Sequence, residues 1–105
     1  MKGLIMATYE TQSTGITGET DIVVRTGTAI VPDGWQNLTP EQAAQKAFLV
    51  GRISQENDRR FHVTSYAQQT FQRNDWRQNN AAYLSTYDEA FAWIISECNN
   101  VLERL

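Results

Sequence analysis

The sequence predicts a single α+β domain over residues 1–105, an antiparallel sheet with two helices on one face, most simply in the order ββαββα. Three observations lead there. The first third is rich in β-branched and aromatic residues, hydroxyl capping signals stand at Thr39 and Thr86, and an apolar stripe at helical spacing follows the second of them. At 105 residues a chain removes roughly two-thirds of its unfolded surface from water, so it folds without disulfides or a structural metal.

Leu4–Thr11 and Asp21–Val31 read as strands. Between them Ser13-Thr14-Gly15-Ile16-Thr17-Gly18 reads as a hairpin connection, because its two glycines take positive φ at little steric cost. Gly27 marks a bulge or close backbone approach in the second strand, which Pro32-Asp33-Gly34 ends.

Thr39-Pro40-Glu41-Gln42 combines a hydroxyl N-cap, proline at the first helical position and a glutamine placed to complete a capping box. The first helix is expected there. Its apolar positions Ala43, Ala44, Ala47, Phe48, Leu49, Val50 and Ile53 span a wide arc, so contact on two sides and an end between Gly51 and Asn57 are expected.

Arg60–Tyr66 alternates as a strand, with Phe61 and Val63 on one face and His62, Thr64 and Tyr66 on the other. Residues 67–80 hold seven Gln and Asn in fourteen positions, with Phe71 and Trp76 as the large apolar groups. Ser65 followed by Gln68 suits the cap of a short helix, whereas Asn79-Asn80 suits the turn of a hairpin leading into Ala81–Leu84. The hairpin is the favoured expectation. Thr86 and Glu89 form a second capping box, after which Tyr87, Phe91, Ile94, Cys98, Val101 and Leu105 follow at spacings of 4, 3, 4, 3 and 4. These six lie within about 80° of arc, so that face is expected to be buried, with Ala90, Ile95 and Leu102 on its flanks. From Phe61 onward the succession of strand, turn, strand and a Thr-x-Asp-Glu-Ala helix start resembles in outline small bacterial α+β modules. The likeness covers under half of the chain and assigns no residue a role.

Nine Lys and Arg against twelve Asp and Glu give a net charge of -3, which argues against a nonspecific polyanion binder. One cysteine and one histidine make neither an intramolecular disulfide nor a tetrahedral Cys/His zinc site. The start of the chain is too short in apolar residues for a signal-peptide core or a membrane span. A cytoplasmic protein without metal, cofactor or membrane contact is expected.

His62 is the residue from which acid–base chemistry would begin, but no nucleophile signature stands beside it, so a packing role on the sheet is the stronger reading. Cys98 falls on the stripe of the last helix and reads as a small core hydrophobe rather than a redox thiol. Neither glycine cluster opens a helix or carries phosphate-loop spacing. Asp33, Glu41, Asp88 and Glu89 stand near helix starts, where the helix dipole accounts for them.

Arg59, Arg60, His62, Tyr66, Phe71, Arg73, Trp76 and Arg77 place cations and rings within twenty residues, the pattern of a single-stranded nucleic-acid surface. Such a binder needs these groups together on one open sheet face, and the acidic total weighs against it. Trp93 lies about 120° from the centre of the last helix's stripe, among Glu89, Asn100 and Arg104, where tryptophan commonly anchors an interface. The expected function is a non-enzymatic binding or regulatory module that contacts a protein partner or a second copy of itself through Trp93, Trp76, Trp35, Arg73 and Arg77. A nucleic-acid binder, and after it an enzyme built around His62, are the rival classes.

Overall fold

A computed structural model describes residues 7–25, 39–71 and 79–104. Its first hairpin turns where two glycines stand, Gly15 and Gly18, at φ of 86° and 81°. The Ser13 and Thr14 hydroxyls accept from the backbone N–H of Gly15 and Ile16, which closes the turn between β1 (Thr8–Ser13) and β2 (Glu19–Arg25). The Thr39 cap likewise forms as expected: its hydroxyl accepts from Gln42 N at 3.2 Å, while the Gln42 side chain accepts from Thr39 N at 3.0 Å.

The helix that follows is short. α1 spans Pro40–Gln45, and Phe48–Asn57, expected to continue it, is strand β3 instead. A bulge explains why the apolar pattern misleads. Ile22 of β2 faces Gly51, but Val23 faces Leu49, so Val50 is an extra residue in β3. Phe48, Val50, Gly51 and Ile53 are therefore all buried, at steps of 2, 1 and 2 that break the strand alternation. Phenylalanine, valine and isoleucine side chains fit a pleated surface with neighbours on both sides, and β3 pairs with both β2 and β4 (Arg60–Ser65).

After β4 the Ser65 hydroxyl accepts from Ala67 N and α2 runs from Ala67 to Phe71. The short helix thus replaces the favoured hairpin in this part of the amide-rich stretch. β5 (Ala81–Leu84) still pairs antiparallel with β4. Asn79 is tied to α2, donating to the Gln69 side chain at 2.8 Å and accepting from Gln69 N at 3.3 Å. The expected bulge at Gly27 and the Pro32-Asp33-Gly34 turn lie outside the described residues.

Helix α3 covers Tyr87–Glu103. Its Thr86 cap accepts from Glu89 N at 3.1 Å, but the hydroxyl also donates to the Glu89 carboxylate at 3.0 Å, a side-chain contact in place of the return bond to backbone. The buried residues are Ala90, Ile94, Cys98, Val101 and Leu102. Tyr87 and Phe91, expected on the buried stripe, are not part of it: Tyr87 is exposed and Phe91 half-buried, with their rings 6.3 Å apart. Leu105 lies outside the described residues.

The result is a five-stranded antiparallel sheet in the order β1-β2-β3-β4-β5, with α2 and α3 packed together on one face. The core between them holds Ile22, Val24, Phe48, Ile53, Val63, Phe71 and Ile94 among others. The α+β class and the antiparallel sheet are as expected, but the expected pair of helices is the Thr39 helix with the last one, whereas the pair on this face is α2 and α3, in the order ββαββαβα. α2 is thus the added helix, and the Gln45 carbonyl of α1 accepts from the Arg25 guanidinium. No described helix is long and apolar enough to cross a membrane.

Candidate protein-contact surface

Alternation along β4 places Phe61 and Val63 in the core and turns Arg60, His62 and Thr64 to the opposite face of the sheet. Register does the rest. His62 is paired with Tyr83 of β5, and their ring centroids are 4.9 Å apart at 39°. The Arg60 guanidinium lies over the same tyrosine ring at 4.0 Å and is paired with Glu56 at 3.0 Å. Tyr83 remains 54% exposed, yet a histidine and an arginine hold it in position.

The neighbouring strands continue this face with paired charges. Arg52 of β3 binds Asp21 of β2 through two bonds, 2.7 and 3.3 Å, with Glu19 at 3.5 Å. Arg25 of β2 meets Glu10 of β1 at 2.8 Å. Arg25, Arg52 and Arg60 thus each have a carboxylate, and the face carries paired charges together with the apolar Val23 and Leu49, with the exposed Tyr83 ring at its β5 edge.

The Arg and aromatic cluster picked out in the sequence is divided by the fold. Arg60 and His62 share the outer face, and Arg59 is exposed in the turn before β4. Tyr66 is half-buried. Phe71, grouped with these as a surface ring, is instead a core residue, 1% exposed and 5.5 Å from the ring of Phe48. Trp93 is half-buried on α3 and packs against the core. Trp35, Arg73, Trp76 and Arg77 lie outside the described residues. The sequence assigns Tyr83 no role. The signal for it is the alternation of small Ala81 and large Tyr83 in a strand that must pair with Arg60–Tyr66, but the register that sets Tyr83 on His62 is a tertiary fact.

Cys98 sits at the centre of α3, fully buried. Burial pushes its thiol up to about 11, against the opposing effect of a hydrogen bond with Tyr9. The Tyr9 hydroxyl, which donates to Asn99 Oδ1 at 2.8 Å, is itself raised well above its ordinary value, chiefly by burial. A thiol raised in the fold favours folding fully below its unfolded pKa near 9, and that contribution is lost as pH rises towards 11. Wild-type stability should therefore fall by about 2 to 3 kcal/mol more than that of Cys98→Ala across this window. Urea unfolding of both proteins as a function of pH measures the difference, and parallel curves would contradict the assignment.

Among the described residues no three His, Cys, Asp or Glu side chains gather in a group able to hold a metal ion. Comparison of the chain with protein-family models, with curated proteins and with solved structures found no match.

Proposed function

We propose that the protein is a small non-enzymatic binding or regulatory module that acts in the cytoplasm through protein contacts, with Tyr83 as an anchor of its contact surface. The observation that carries this reading is a large ring left 54% exposed and already ordered by Arg60 and His62. Tyrosine and arginine are enriched among the residues that dominate interface energies, and an anchor held in place before binding loses little entropy on binding. His62 serves here as a packing partner of Tyr83 rather than as a general base. Trp93, half-buried at the other face of the sheet, is a second candidate anchor.

The same geometry favours a protein over a single-stranded nucleic acid. A base stacks on an open ring face, whereas Arg60 already lies over that of Tyr83. Phosphates are met by unpaired cations, whereas Arg25, Arg52 and Arg60 have carboxylate partners. Affinity capture from the native host with the full chain and with Tyr83→Ala tests the proposal. A partner retained by wild type should lose about 30-fold in affinity for the variant, roughly 2 kcal/mol, with thermal unfolding little changed. Equal retention by both removes Tyr83 from the surface. Titration with labelled single strands supplies the opposing arm: sub-micromolar, salt-sensitive binding overturns the protein-contact reading.

A further inference from the structure

Among the described residues β1 pairs only with β2, and Thr8, Glu10, Thr11, Gln12 and Ser13 are exposed. An edge strand presents unpaired backbone N–H and C=O groups to any incoming strand, and protected edges carry lysine, proline or a bulge. β1 reads Thr-Tyr-Glu-Thr-Gln-Ser and pairs with β2 without interruption over its whole length. Its single charge, Glu10, is half-exposed and pairs with Arg25 at 2.8 Å.

We infer that β1 pairs antiparallel with β1 of a second copy of this chain, about a two-fold axis at Thr11, to form a continuous sheet of ten strands. The occupant and the register follow from alternation and charge. Directly opposed residues share a sheet face, so a joint sheet with the helices of both copies on one side opposes odd to odd and even to even positions. Two such registers keep five residues of each six-residue strand paired, one centred on Glu10 and one on Thr11. The first sets Glu10 against Glu10, and like charges directly opposite destabilise a strand pair. The second sets Glu10 against Gln12, Tyr9 against Ser13, and Thr11 against itself.

β1 and β5 are opposite edges of the sheet, so this pairing leaves the Tyr83 surface free, and Tyr83→Ala should leave it intact. Sedimentation equilibrium on the full chain tests it. Wild type should dimerise, and Thr11→Lys and Thr11→Glu, each checked for folding by circular dichroism, should each raise the dissociation constant about tenfold. An equimolar mixture of the two variants should dimerise again, because a lysine and a glutamate then face one another across the axis. Only a residue that meets itself behaves in this way. A monomeric wild type, a dimer indifferent to both substitutions, or a mixture no tighter than its components overturns the inference. So does a tightened Thr11→Lys dimer, which would place residue 11 opposite Glu10.

Discussion

Ile94→Ala is expected to lower the unfolding free energy by about 4 kcal/mol, within the range for deleting a fully buried branched side chain. Ile94 is 0% exposed and lies against the sheet at Gly51, where a backbone without a side chain lets α3 approach closely. The truncated residue leaves a cavity between two rigid elements, and a helix fixed at both ends collapses into it only in part. A loss of this size is a large share of a small domain's stability. Trp93→Ala and Phe91→Ala, which truncate half-buried side chains on the same helix, should each cost clearly less. Chemical denaturation at constant m-value ranks the three variants. A ranking with Trp93 first would mean that the buried face of α3 is misplaced.

Gly51→Val should destabilise the protein by about 3 kcal/mol through overpacking. The backbone is no obstacle, since positive φ is confined to Gly15 and Gly18 among the described glycines, and valine is otherwise a better strand residue than glycine. The obstacle is steric: a Cβ at position 51 would fall 2.7 Å from both Cδ1 and Cγ2 of Ile94. Cγ2 is on the branch of a stiff, fully buried side chain and cannot swing aside as a long surface chain can. Combining Gly51→Val with Ile94→Ala should therefore relieve both defects, the new methyl groups filling the new cavity. The double variant is expected to be more stable than the sum of single losses by about 2 kcal/mol. Additive losses in the double-mutant cycle would show that the two residues do not meet.

The close approach at Gly51 also illustrates how much of the molecule is legible in the sequence. Features governed by neighbours in the chain are: the hydroxyl caps at Thr39 and Thr86, the two turn glycines, and the strand at Arg60–Ser65 all follow from spacings of two to four residues. The helical stripe through Ile94, Cys98 and Val101 is of the same kind, because a side chain's direction on a helix is set by its position in the turn. What a single register shift alters is not legible. One extra residue at Val50 makes a strand present the apolar spacing of a buried helix, and only the pairing of Ile22 with Gly51 reveals it.

The contact surface divides along the same line. His62 and Arg60 stand out in the sequence as an imidazole and a guanidinium on alternate positions of one strand, but Tyr83, twenty-one residues beyond His62, becomes their partner only when β5 adds to the edge of β4. Phe71 shows the converse, a ring surrounded by polar amides in the chain and by Phe48 in the fold. By itself the sequence determined the α+β class, the caps, the first turn and the amphipathic last helix, because each depends on local backbone preference and on side-chain period. The tertiary structure alone decided that Phe48–Asn57 is a strand, that Gly51 lies under Ile94, and that an exposed tyrosine is braced by a histidine and an arginine. Those outcomes depend on cross-strand hydrogen bonding and packing between distant segments, which override local propensity whenever burial and pairing on two sides outweigh it.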